Sequence, residues 1–353
     1  MNREEYLKLA KEGKRMVFGA DLVIKSKPNH DEIKLNGTLL GKCIEEATLK
    51  YSAPLALPHM DLSVEKEDLL TILGINKEKI ELFKMDSVLD ESLIHIIKLA
   101  LNHPPTKKSI ANCEAISYIR DNTDYIPVGM CIGPFSMMTK LIPEPITPVF
   151  MAAMGVAGED DMFIKNTELT LEVCTMIIER SIKMQIKAGA KAICVCEPAA
   201  NSVYISPDMV MDDMEDIFDR FVIHFNQRLK TLMDKHNVDL ILHDCGELSN
   251  SMLKKLCTLD PVIFSLGSSR NLWEDAAIVP DNIILFGNLP TKHFAQDKSF
   301  TPEKVEEITR ELHNRMEATN HPFILGSECD ILHIPGMDDE LNSKVSRIFT
   351  CNC

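Results

Sequence analysis

The sequence predicts an α/β chain folded as a (β/α)8 barrel of the TIM type with N-terminal helical additions. Three observations predict it. Eight short β-favouring runs each end at a loop-favouring residue, amphipathic helical stretches separate most of them, and 353 residues with 45% hydrophobic content suit one large barrel. Strands that alternate with helices pair in parallel, and eight such repeats close on themselves. Residues 1–353 are read as one domain, because no linker, low-complexity tract or repeat period divides them.

The elements follow in order. "MNREEYLKLAKEGKR" is a charged, amphipathic helical start ahead of the first run. The runs are "MVFGADLV" (16–23), "APLALPHM" (53–60), "YIPVGMCI" (125–132), "KAICVCE" (191–197), "DLILHDC" (239–245), "VIFSL" (262–266), "IILFGNL" (283–289) and "FILGSEC" (323–329). Residues 61–124 fit the repeat least well, and "KIELFKM" (79–85) competes there for a strand slot. Helices are expected over "FIKNTELTLEVCTMIIERSIKMQIKAGA", which stops at Gly189, and over the stretch opening at Ser206-Pro207. "TPEKVEEITRELHNRMEA" is a third, opening at Thr301-Pro302; both Ser/Thr-Pro pairs supply a cap and a first-turn residue.

Composition narrows the function. Lys and Arg total 38 against 53 Asp and Glu, a formal charge of -15, which argues against a protein that tracks nucleic-acid phosphates. No window approaches the roughly 18 apolar residues of a membrane span, and the start lacks the apolar core of a secretory signal. A cytoplasmic location is expected. The eleven cysteines are scattered, several within apolar runs (Cys131, Cys194, Cys196), so reduced thiols are expected, and "FTCNC" places Cys351 and Cys353 in an exposed tail.

One stretch asks for chemistry. "DLILHDCGELSN" (239–250) ends a β-favouring run on His243, Asp244 and Cys245. In a barrel that end faces the mouth where active sites of this fold lie. His243 and Cys245, two apart on an extended chain, point the same way, whereas Asp244 points away and suits a turn cap. Cys329 ends the eighth run and comes to the same mouth. One nitrogen and two sulfurs make the ligand set of a catalytic zinc site with an open fourth position. Taken alone, these residue types fit ordinary buried thiols beside a strand-end histidine at least as well.

Five motifs in sequence order change that balance. "IPVGMCIGPFSMMTKLI", "AGAKAICVCEPAANSVYISPDM", "LILHDCGELSNSML", "ILFGNL" and "FILGSECDILHIPGM" resemble the uroporphyrinogen decarboxylase superfamily from about residue 125 to 337. Within it they are similar to the zinc-dependent, corrinoid-linked methyltransferases typified by methylcobalamin:coenzyme M methyltransferases. The resemblance implies a (β/α)8 barrel with His243, Cys245 and Cys329 as zinc ligands. It implies a methyl group moved between a corrinoid (methylcobalamin) on a partner protein and a small-molecule methyl acceptor or donor. The acceptor reading is a thiol such as coenzyme M; the donor reading is a methoxylated or methylated compound. A non-catalytic zinc protein and a decarboxylase are the remaining readings. The decarboxylase pattern opens on an Arg-Gln-Ala-Gly-Arg stretch, and this chain has "RMVFGADLV" there.

Other residues receive expected roles. Glu197, where many members carry Asp, is taken as a carboxylate ligand or outer-shell contact, against the alternative of a surface ion pair. Asn288 is taken as a hydrogen-bonding catalytic residue, against a turn. Tyr204, Ser206, Ser268 and Arg270 are placed in the substrate region, with Ser265 near them; Ser206 also reads as a helix cap and Arg270 as the anchor a sulfonate would need. The methionine-rich stretch 134–157 is read chiefly as core, with corrinoid docking as the lesser alternative. No nucleic acid or membrane is expected as a partner, and a homodimer is one assembly the reading allows.

Overall fold

The computed structural model describes residues 3–85, 89, 91–212 and 216–351. Its strands are β1 (Arg15–Phe18), β2 (Leu55–Ala56), β3 (Ile126–Ile132), β4 (Ala192–Cys196), β5 (Asp239–Asp244), β6 (Ile263–Leu266), β7 (Ile284–Leu289) and β8 (Phe323–Asp330). All eight expected runs supply a strand. They form one parallel sheet in the order β1-β8-β7-β6-β5-β4-β3-β2, a nearly closed (β/α)8 barrel with N-terminal helices before and after β1.

Strand alternation explains the two apolar layers. On β4 and β5, Cys194, Cys196 and Ile241 point into the barrel with Met16, Phe18, Leu55 and Phe286. Ile193, Val195, Leu240 and Leu242 point out against the surrounding helices. Burial on both faces leaves no polar stripe, as parallel strands require.

Four expectations need correction. The run 16–23 is half strand: the chain turns at Gly19 and becomes helical over Ala20–Lys25. A Cβ on Gly19 would lie 2.4 Å from Tyr51 Cε2, so the close approach of that ring requires glycine. The run 53–60 keeps two strand residues, since Pro54 and Pro58 have no N–H for a ladder. "KIELFKM" forms no strand; a tight turn at Lys77–Lys79 precedes it and Met85 N–H donates to Leu141 O at 2.8 Å. Cys351 is buried, with its Sγ 3.8 Å from Glu306 O, and is no exposed tail; Cys353 lies outside the described residues.

The helices follow their caps. Met162–Ala188 begins where Asp161 accepts from Phe163 N–H and Ile164 N–H, and ends at Gly189 with φ of 111°. Pro302–Glu317 begins under the Thr301 cap. Ser206 opens only the short turn Pro207–Met209 and makes no side-chain cap bond. Asp216 instead accepts from Phe218 N–H and Asp219 N–H, ahead of the wide turn Asp219–Ile223 and the helix His224–Asp234. Among the described residues, no helix is long and apolar enough to cross a membrane, and the ten described cysteines are free thiols.

Candidate metal centre

His243 lies on the inward side of β5, fully buried, with its ring edge-on to Phe18 at 5.1 Å between centroids. Its Nδ1 lies 2.9 Å from Ser265 Oγ, one strand over on β6. Its Nε2 is buried and meets no hydrogen-bonding partner. A buried polar nitrogen left unpaired costs about 1–3 kcal/mol, so a ligand for Nε2 is the physical expectation. With Nδ1–H donating to Ser265 Oγ, Nε2 presents its lone pair to the mouth.

Cys245, just past β5, and Cys329, on β8, complete the group. The imidazole nitrogen and both sulfurs lie within 4.8 Å of one another. The nearness of Cys329, with help from His243 and Lys292, holds the Cys245 thiol far below its ordinary range against the cost of burial. The nearness of Cys245 and burial push Cys329 up. One sulfur inclined to ionise and one inclined to keep its proton, beside an unpaired imidazole nitrogen, fit a thiophilic cation that would displace the proton. The donor set fits zinc.

Two neighbours escaped the sequence reading. Lys292, in the turn Thr291–His293 after β7, points Nζ at Cys245 O, 3.5 Å away, and the charges of Cys245, Cys329 and Glu328 raise it against the cost of burial. Met60, beyond β2, places Sδ 3.8 Å from Cys329 Sγ. Neither carries a local pattern; only the closing of the barrel brings them to the thiols.

The other expected site residues divide. Glu197 is fully buried, away from any surface ion pair: its carboxylate accepts from Phe135 N–H (3.1 Å), Ser136 N–H (2.8 Å) and Asn226 Nδ2 (2.8 Å). It locks the start of the helix Pro134–Leu141, and a Cβ on Gly133 would lie 2.1 Å from its Cδ. Asn288 donates to Gly267 O and Arg270 O, both at 2.8 Å, and so holds the loop after β6. Ser268 N–H donates to Glu328, whose other oxygen takes Lys292 N–H. Arg270 is spent on Asp275, on Leu248 O at 2.7 Å and on Asn250 Oδ1 at 2.9 Å. Tyr204 meets Phe135 edge-on at 6.2 Å, in the β4 loop that also carries Ser206. Asp244 is buried; one oxygen accepts from Gly246 N–H at 2.9 Å as a turn cap, and the other is unpaired.

A parallel (β/α)8 barrel whose C-terminal mouth gathers an imidazole and two thiols fit for zinc is the class defined by this fold and site. Residues 84–338 match the uroporphyrinogen decarboxylase (URO-D) family, and the chain belongs to it. Among solved structures, a methyltransferase from Methanosarcina mazei is similar at 16% identity with a TM-score of 0.66, over 99% of this chain and 98% of that one. A B12-independent methionine synthase from Shewanella sp., in complex with selenomethionine, is similar at 17% identity with a TM-score of 0.44. It covers 67% of this chain and 64% of that one, too remote to bear on the fold. No curated protein sequence matches.

Proposed function

We propose that this chain is a zinc-dependent methyltransferase that moves a methyl group between a corrinoid on a partner protein and a small molecule. The observation that carries the reading is the convergence of His243 Nε2, unpaired and buried, with the sulfurs of Cys245 and Cys329 at the barrel mouth. Zinc held by these three residues supplies the Lewis acidity that keeps a substrate thiol deprotonated near neutral pH.

The chain's own residues do the rest. Ser265 fixes the His243 ring so that Nε2 faces the ligand site. Phe18 packs edge-on against the ring and is itself backed by Phe286, so the ring sits on an apolar floor. Lys292 brings a positive charge to a site that would otherwise gather thiolates. Glu197, Asn288 and Ser268 serve by fixing the loops around the mouth, with Tyr204 and Ser206 on the β4 loop toward substrate.

An acceptor thiol such as coenzyme M is the first substrate reading, with Lys292 rather than Arg270 as the cation for its anionic end. The engagement of Arg270 by Asp275 favours a second reading, in which a methoxylated or methylated compound without an anionic end gives its methyl to cobalt(I). We further propose that residues 1–353 act as one domain.

Metal analysis of purified protein tests the site. The native chain is expected to hold about one zinc per chain, as structural and catalytic zinc sites do. His243→Ala and Cys329→Ser are expected to lose the metal while keeping the circular dichroism of the barrel. Full zinc occupancy in both variants overturns the proposal.

A further inference from the structure

A cavity of about 580 Å³ opens between the loop after β2, the helix Val64–Ile72 and the end of the helix Pro134–Leu141. In a chain with a formal charge of -15, five lysines line it: Lys66, Lys77, Lys84, Lys108 and Lys140. Lys108 is neutralised by Asp61 at 3.1 Å and Glu67 at 3.3 Å. Lys66, Lys84 and Lys140 form no ion pair with any described carboxylate. Their ammonium groups donate to backbone carbonyls instead: Lys66 to Glu81 O at 3.0 Å, Lys84 to Thr139 O and Ile142 O at 3.2 Å, and Lys140 to Leu62 O at 2.9 Å.

Those carbonyls orient the ammonium groups without cancelling their charge. Lys66 is nearly buried, at 6% exposure; burial, then the charges of Lys84 and Lys140, push its affinity for a proton down, against the opposing pull of Glu81, which also lines the cavity. Like charges gathered on a cavity wall are a mark of sites that bind an opposite charge. Among the described residues no arginine lines the cavity, so none of them offers the planar fork suited to a carboxylate; ammonium point charges suit phosphate oxygens. The volume is that of a small-molecule site.

We propose that Lys66, Lys84 and Lys140 form a binding site for the phosphate or diphosphate group of a small molecule, separate from the thiols of the mouth. The two are linked along the chain: Ser63 in the cavity lining follows Met60, whose Sδ lies 3.8 Å from Cys329 Sγ, by three residues.

Calorimetric titration of the full chain with inorganic pyrophosphate, at fixed ionic strength, tests this. One saturable site is expected in the native protein. Lys84→Gln should weaken it about tenfold, the usual loss for one charge-assisted contact, while Lys84→Arg stays near native and Lys235→Gln, on another face, changes nothing. Melting curves of each variant confirm that it is folded. No saturable binding by the native chain overturns the site, as does equal weakening by Lys235→Gln. Citrate binding more tightly than pyrophosphate overturns the phosphate assignment.

Discussion

Ser265 decides how His243 presents itself. Its Oγ is the partner of Nδ1, so Ser265→Ala frees the ring to turn and leaves a second nitrogen unpaired. Loss of such an outer contact typically costs 10- to 100-fold in metal affinity, so zinc should bind about that much more weakly to Ser265→Ala, read by competition with a chromogenic chelator. An unchanged affinity would mean that the serine only packs. At this scale the sequence told much about the three candidate ligands and little about their supports. That His243, Cys245 and Cys329 would meet was legible from strand alternation and strand ends, but their residue types alone fitted buried thiols equally well, and the resemblance tipped the reading toward a metal. Glu197 was not, because its partners Phe135, Ser136 and Asn226 lie 62, 61 and 29 residues away. Arg270 looked free for a ligand because nothing in "SSRNLWED" says that Asp275 turns back onto it.

Among the elements, the helix Val64–Ile72 carries a buried acid. Glu65 is pushed up from 4.5 to about 7 by burial, although Ser181 Oγ donates to it at 2.8 Å. The folded state therefore holds a proton that the unfolded chain has already released. Stability from this group is full below about pH 4.5 and falls as pH rises toward 7, by on the order of 3 kcal/mol. Glu65→Gln should remove that fall, so the variant melts higher than the native chain at pH 8 and similarly at pH 5. A constant difference between the two melting curves from pH 5 to 8 would contradict it. The helix Met162–Ala188 makes a backbone claim: Gly189 takes φ of 111°, and a Cβ there would lie 2.6 Å from Arg120 Cδ. Gly189→Ala should cost about 1 kcal/mol or more in urea unfolding. This stop was legible, as were the helix from Phe163 up to it and the Thr301 cap; the Asp161 cap was not read. The stretch from Ser206 was not, because Asp216 out-competes Ser206 as the cap that starts the helix.

For the molecule as a whole, periodicity gave the barrel and the resemblance gave its mouth, but neither could place charge. Net charge is a sum, and -15 conceals five lysines gathered on one cavity, because their positions 66, 77, 84, 108 and 140 meet only after folding. Lys292 reaches the thiols for the same reason: β7 and β8 must pair before the turn after one faces the end of the other. The barrel holds the three candidate ligands on β5, on the residue just past it and on β8, so removal of the metal should leave the strands and helices intact. Treatment with a chelator is expected to leave the far-ultraviolet circular dichroism unchanged while lowering the melting temperature, since a ligand bound only to the folded state stabilises it. Collapse of the dichroism would contradict a preformed site.

The central claim is methyl transfer at the thiol-imidazole centre. It is tested most directly by the absorbance of methylcobalamin, followed anaerobically with zinc-loaded native protein and a panel of small thiols. The account predicts loss of the methyl-cobalt band that depends on protein, on zinc and on one thiol, and that is absent with Cys329→Ser. An intact band across the panel, together with no methylation of cobalt(I) from methyl ethers or methylamines, would contradict it.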